Sequence, residues 1–213
     1  MRYALCCLTH GDTEPLAGTL ASFRQFVQPQ PVDGFLLVDG TGDPEVEWPW
    51  RMGFTDEQVG FCAATRTLWH VITEAEEALY DYVFWLEHDF RFLRSVDLDD
   101  LAAVLDGFPQ VAQIALCRDS ANDIEREAGG LVASRSGEFQ AQGSSWLLHR
   151  SYFTTTPSLM RRRFMRNNPW PSYPSNCEGR FGLDLLARAY SFGLWGQGEV
   201  WVEHVGRRSG YGY

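Results

Sequence analysis

Lysine is absent: all 18 basic residues are arginine, set against 28 acidic ones, for a formal net charge of −10. That absence excludes a P-loop lysine, a Schiff-base lysine and the lysine of a kinase-type site. The scarcity of positive charge opposes long-range attraction to nucleic acid or anionic membranes, so duplex DNA is disfavoured as a partner. It also makes a locally basic surface informative, and Arg161-Arg162-Arg163 with Arg166 is the one such cluster. Long apolar runs are lacking too. No stretch reaches the eighteen or more uninterrupted apolar residues of a membrane span, and the apolar start Tyr3 to Leu8 is shorter than a signal-peptide core. A cytoplasmic chain without a membrane span is expected. Cysteines are few and odd in number, five in all. Adjacent Cys6 and Cys7 point to opposite faces of a strand, and Cys62, Cys117 and Cys177 lack metal-site spacing, so reduced thiols are expected.

What is present is a chain of 213 residues, 45% hydrophobic and 14% aromatic, which fits one globular domain with a substantial core. Strand-like runs alternate with helical patterns, the signature of an α/β sheet with crossover helices. Tyr3 to Thr9 reads as a first strand. Asp12-Thr13-Glu14-Pro15 then starts a helix that places Leu16, Leu20, Phe23 and Val27 on one face and stops at Pro29 and Pro31. Phe35 to Val38 reads as a buried strand ending in Asp39-Gly40, followed by a loop through Met52. Thr55-x-x-Gln58 has the form of a capping box and predicts a long helix to roughly Leu79. Farther on, Val96 to Leu105 reads as a short helix, Val111 to Leu116 as a strand and 119–138 as an irregular excursion. Ser145 to His149 reads as a strand, 167–176 as a shaped loop, Glu178 to Tyr190 as a helix and Glu199 to His204 as a last strand. Arg207 onward reads as a flexible tail.

The run Tyr82-Val83-Phe84-Trp85-Leu86 ends abruptly in Glu87-His88-Asp89. In a strand, residues two apart share a side, so Glu87 and Asp89 are expected to converge on one point while His88 turns away. Hard carboxylate oxygens of this kind suit Mg²⁺ or Mn²⁺ held against a nucleotide diphosphate. The competing reading is a turn in which Asp89 caps the next element of the chain. Farther along, Glu178 and Asp184 are the candidate general bases. Glu178 is preferred because it sits at a helix start directly after the Pro/Trp/Tyr loop, where Trp170 and Tyr173 either stack on a ligand or pin the loop.

Taken in order, these motifs resemble the GT-A glycosyltransferases, in particular the family 2-like enzymes that use nucleotide-diphosphate sugars. The likeness lies in the opening strand followed by Thr9-His10, the second strand ending at Asp39, Gly60 and Arg66 at the next helix, and Glu87-His88-Asp89 in place of the family's Asp-x-Asp. It continues in Glu178 before Phe181-Gly182-x-Asp184 and in His204, which resembles the late metal-binding histidine. Glu87 departs from the family, which usually has Asp there.

The resemblance implies a single GT-A, Rossmann-like α/β domain over 1–213, with a mixed, mostly parallel central sheet flanked by helices. Its nucleotide-sugar half would be 1–92 and its acceptor half 93–213. It implies a metal-dependent, inverting transfer of a sugar from a nucleotide-diphosphate donor to a hydroxyl on a protein, glycan, lipid or modified base. The implied metal is Mn²⁺ or Mg²⁺ on Glu87, Asp89 and His204. Thr9, His10, Asp39, Gly60 and Arg66 would hold the donor, and Arg207 and Arg208 would fold over its phosphates. Asp39 read as a loop cap, Arg66 as an exposed helical residue and the tail as a frayed end are the competing readings. An inert sugar-nucleotide or glycan binder and a nucleotidyltransferase are the alternatives in function. The small size and lack of Lys also resemble glycosyltransferases of GC-rich bacteria or their bacteriophages.

Overall fold

The computed structural model describes residues 1–10, 13–40, 44–75 and 79–206. The first strand, β1 (Tyr3–Thr9), is buried along its whole length, as a strand covered on both faces must be. Its side chains separate by parity. Tyr3, Leu5 and Cys7 pack with Leu16, Leu20 and Phe23 of α1 (Thr13–Phe26). Ala4, Cys6 and Leu8 pack instead with Leu68, Trp69 and Ile72 of α2 (Phe61–Glu74). Successive residues of a strand project to opposite faces, so one apolar run serves two hydrophobic layers.

Around β1 the chain builds a nine-stranded sheet. Its order is β4 (Arg51–Phe54), β3 (Asp33–Val38), β1, β5 (Tyr82–Glu87), β11 (Ser158–Arg161), β8 (Val111–Leu116), β12 (Ser191–Trp195), β10 (Trp146–His149) and β9 (Phe139–Gln142). The block from β4 to β5 is parallel, as is the β8–β12 pair, while β11 and β10 run against both of their neighbours. The expected mixed sheet, with most strands in one direction, is therefore the observed one. Helix α3 (Leu98–Gly107) joins α1 on one face through Leu98, Leu101 and Leu105. Helices α6 (Arg162–Asn167) and α7 (Cys177–Ala187) join α2 on the other through Met165, Phe181 and Leu185. Two small pairs, β2 (Val27–Gln28) with β7 (Val96–Asp97) and β6 (Phe90–Phe92) with β13 (Val202–His204), complete the strands.

Several expectations need correction. The helix predicted from Thr55 begins at Phe61 and stops at Glu74. Thr55 does not cap it: its hydroxyl accepts the Gly40 N–H at 2.7 Å and lies 3.1 Å from Asp39 Oδ1. The segment 119–138 contains two short helices, α4 (Asp123–Ala128) and α5 (Leu131–Ser134). Strands β11 and β12 were not expected, because Ser158–Arg161 and Ser191–Trp195 are too short and too mixed to stand out before the sheet covers them. Trp170 is core, 4% exposed and packed on Trp69 and Phe181, so it pins the loop. Among the described residues no helix is long and apolar enough to cross a membrane.

The thiol expectation is overturned for two of the five cysteines. Cys62 at the start of α2 and Cys177 at the start of α7 form a disulfide across a sequence separation of 115, while Cys6, Cys7 and Cys117 are free and buried. Spacing gave no hint of the pairing because the fold alone brings the two helix starts together. Closing a loop of that length restricts the unfolded chain by about 4–5 kcal/mol. Reducing the bridge is therefore expected to lower stability by that order. Urea unfolding with and without a thiol reductant checks it, and equal midpoints would refute it.

Candidate functional site

Parallel pairing aligns the carboxyl ends of three strands. Thr9 pairs with Val38 and Leu8 with Glu87, so Thr9, Asp39 and the residues after β5 emerge along one edge of the sheet. In open α/β sheets that edge is where ligands bind. A cleft of about 450 Å³ opens there, with Thr9, His10, Asp39, Gly60, Glu87 and His88 among its walls. His88 does not turn away as expected; its ring meets that of His10 edge to face at 4.4 Å.

Asp39, 5% exposed, has its carboxylate committed to the chain. Oδ1 accepts from the Val59 N–H at 2.8 Å and Oδ2 from the Gly60 N–H at 2.9 Å. These bonds bend the backbone into α2, where Gly60 takes φ +83°, a conformation that suits glycine. Asp39→Ala would strand two amides, at about 1–3 kcal/mol each. Loss of about 2–6 kcal/mol in urea unfolding is expected; wild-type stability would show that water replaces the carboxylate at no cost. Arg66 faces a separate groove beside Tyr173 and makes no ion pair among the described residues.

After Glu87 the strand gives way to a turn, and the alternation that would have aligned Glu87 with Asp89 ends there. The two carboxyls engage different partners. Asp89, 4% exposed, leads into β6, which pairs with β13 so that Phe90 lies opposite His204. The His204 Nε2 stands 3.0 Å from Asp89 Oδ2, the Val205 N–H donates to the Asp89 carbonyl at 2.8 Å, and Asp89 Oδ1 is buried with no hydrogen-bond partner. Burial pushes the Asp89 carboxyl upward, but the His204 hydrogen bond and the neighbouring His88 outweigh it and hold the group below its ordinary value. Gly206 packs so closely that a Cβ there would come 2.0 Å from Asp89 Oδ2.

Glu87 turns instead to Thr155, whose hydroxyl lies 2.5 Å from Glu87 Oε1 and 2.7 Å from Glu178 Oε1. The Thr155 backbone N–H also donates to Glu178 Oε1. One hydroxyl carries one proton, so with both contacts made one carboxyl must itself be the donor. Burial pushes Glu87 well above its ordinary value and nearby Glu178 adds to this, against the Thr155 hydrogen bond. Burial likewise raises Glu178, against the bonds from Thr155. Asp184 stays on the exposed side of α7, with its Oδ2 3.3 Å from the Tyr173 hydroxyl.

Glu178 also lines a second cavity of about 540 Å³, with Arg118, Arg135, Tyr152, Thr154 and Thr156. Arg118 forms a bidentate pair with Glu125 at 2.8 and 3.1 Å, and the Tyr152 hydroxyl is buried without a partner. Thr155, Tyr152, Arg118 and Gly206 escaped the sequence reading; the Thr154-Thr155-Thr156 triplet before Pro157 was the one visible signal. Arg207 and Arg208 lie outside the described residues.

Asp89 and His204 are the residues that could hold a divalent ion, with His204 Nε2 exchanging its hydrogen bond to Asp89 Oδ2 for the metal. Two ligands at about 2.1 Å and at right angles stand roughly 3.0 Å apart, and Mg²⁺-like ions keep positions for water and phosphate oxygens. The orphaned Asp89 Oδ1 adds a hard donor. Among the described residues no group of three His, Cys, Asp or Glu side chains forms a ligating set, and Glu87 stands with Glu178.

No family model and no curated protein sequence matches the chain. Solved structures do. The crystal structure of S. aureus TarS matches with a TM-score of 0.65 at 10% identity, over 97% of this chain and 37% of that one. S. aureus TarS 1–349 in complex with UDP-GlcNAc matches with a TM-score of 0.64 at 12% identity, over 98% and 60%. GalNAc-T7 with UDP, GalNAc and Mn²⁺ matches with a TM-score of 0.68 at 9% identity, over 100% and 45%. The chain spans less than two thirds of each of these proteins, and at such identities the likeness is one of fold. That fold is the GT-A fold which the order of its motifs resembles.

Proposed function

We propose that this chain is a glycosyltransferase that moves a sugar from a nucleotide-diphosphate donor to a hydroxyl acceptor, with a divalent metal and with inversion. The observation that carries the reading is the bridge Glu87–Thr155–Glu178. Glu87 lines the cleft at the sheet edge, Glu178 lines the second cavity, and one hydroxyl touches both. Two chambers with a base between them are what a displacement between two bound substrates requires.

In this reading Thr9, His10, Asp39 and Gly60 wall the donor's nucleoside pocket. Glu178 removes the acceptor hydroxyl proton, the acceptor oxygen forms a bond to the anomeric carbon, and the bond from that carbon to the diphosphate oxygen breaks with its electron pair. Thr155 holds Glu178 by both its N–H and its hydroxyl, which fixes the base toward the second cavity. Asp89 and His204 would hold Mn²⁺ or Mg²⁺, which when bound offsets charge on the departing diphosphate. TarS with UDP-GlcNAc and GalNAc-T7 with UDP and Mn²⁺ share the fold and support the donor class.

Incubation with a panel of nucleotide-diphosphate sugars and Mn²⁺ is expected to release nucleoside diphosphate from one of them, and to stop on chelation. Donor binding without release would favour an inert binding protein. Release of inorganic diphosphate from a nucleoside triphosphate instead would favour a nucleotidyltransferase.

A further inference from the structure

The arginine run lies at the opposite end of the sheet from the cleft. Arg161 closes β11 opposite Tyr82, the first residue of β5, whereas Glu87 is the last. At roughly 3.3 Å per residue the two ends of that strand are about 17 Å apart.

Two of the four arginines have structural work. Arg161, 4% exposed, donates to the carbonyls of Leu105, Pro109 and Val111. Arg162 donates to those of Ile72, Thr73 and Ala75 at 3.4, 3.1 and 2.5 Å. The carbonyls at the ends of α2 and α3 collect partial negative charge, which accounts for both residues. Arg163 and Arg166 are different. They are exposed, three residues apart on α6 and so on one side of it, and line the same pocket of about 660 Å³. Among the described residues neither pairs with a carboxylate. The pocket also holds two carboxylates, fewer than its guanidiniums: Asp106 accepts the Tyr82 hydroxyl at 2.5 Å, and Asp81 lies 3.9 Å from Arg2.

We propose that this pocket binds a phosphate-class oxyanion, with Arg163 and Arg166 donating to it above a fixed positive floor formed by Arg161 and Arg162. Four guanidiniums against the two carboxylates Asp81 and Asp106 leave this pocket net positive in a chain with a net charge of −10, and a bound anion would offset the remaining repulsion among them. Burial, and then Arg163, disfavour the charge on Arg161 more than Asp106 favours it, and a bound anion would add to the favourable side. Phosphate suits the place because its several acceptor oxygens match two planar forks. The site is independent of the catalytic reading.

The test is calorimetric titration of the full chain with inorganic phosphate in the presence of a chelator, for the wild type and for Arg163→Gln/Arg166→Gln. Each lost charge-assisted bond weakens binding by roughly tenfold or more. The expected result is a Kd raised by about a hundredfold in the double variant, with unfolding temperature unchanged because both side chains are exposed. Arg163→Lys/Arg166→Lys should recover part of the affinity. Flotation with vesicles of phosphatidylglycerol in phosphatidylcholine separates two sources of the group. Vesicle binding lost in the Gln variant identifies a lipid headgroup, whereas phosphate binding alone identifies a soluble phosphate. No binding by the wild type, or equal binding by wild type and Gln variant, overturns the proposal.

Discussion

Replacing Glu178 with Gln is expected to slow sugar transfer by about 10²- to 10⁴-fold, the range that a positioned general base contributes. Donor affinity should hardly change, since Glu178 lines the second cavity and not the cleft at the sheet edge. Gln keeps an oxygen to accept from the Thr155 N–H, so the local backbone keeps its partner. The same substitution should stabilise the protein. Burial raises the Glu178 carboxyl above its unfolded value, so the folded state holds its proton more tightly than the unfolded chain does. Such a group lowers stability as pH climbs from the unfolded value through the folded one, and the full penalty is present above it. Glu178→Gln removes the penalty, so its advantage in chemical denaturation should be largest at alkaline pH and vanish in acid. A slower yet more stable variant is the signature of a carboxylate placed for reaction. A changed donor KM with unchanged kcat would reassign Glu178 to binding.

The raised values of Glu178 and Glu87 also set the acid limb of the rate profile. A base acts only when deprotonated, so kcat should begin to fall at a pH above the ordinary carboxylate range. In Thr155→Val the hydroxyl that donates to Glu178 is gone, and with it a bond that lowers that carboxyl. The limb should therefore move to still higher pH.

The strands Tyr3–Thr9 and Val111–Leu116 were legible in full because each is a predominantly apolar run, with Thr9 and Gln113 as the polar exceptions. The edge bearing Asp39 and Glu87 followed from parallel pairing, which places strand ends together whatever their neighbours. What the pattern could not give was the direction of each carboxyl. Alternation fails at Glu87, where the chain leaves the sheet, so two residues expected to share a target acquire different ones. Thr155 escaped for a related reason: the middle threonine of a Thr154-Thr155-Thr156-Pro157 segment reads as loop, and its importance comes from two acidic side chains on β5 and α7. The Cys62–Cys177 bridge likewise depends on two helix starts that only the packed sheet juxtaposes.

Asp89→Ala should reduce metal-stimulated turnover by about 10³-fold or more, because the several kcal/mol that a bound ion contributes to a charged transition state would be lost with its hard oxygen ligand. Calorimetry with Mn²⁺ alone gives a reading that does not depend on turnover, and it should show wild-type binding and its loss in the variant. Stability should respond with a sign opposite to that of Glu178→Gln. The His204 bond and the nearby His88 hold Asp89 below its unfolded value despite burial. The carboxylate therefore contributes stability that is present above the unfolded value and disappears as pH falls through the folded one. Asp89→Ala should be less stable than wild type near neutral pH, with the gap closing in acid. Gly206→Ala tests the same centre without touching a ligand: the new Cβ would meet Asp89 Oδ2 at 2.0 Å, so either the carboxylate or the strand bearing His204 must move. Weakened Mn²⁺ binding in both variants would tie the effect to the Asp89–His204 geometry. Wild-type Mn²⁺ binding in both would remove the metal from this pair, while leaving the Glu87–Thr155–Glu178 bridge to be judged by the pH profile.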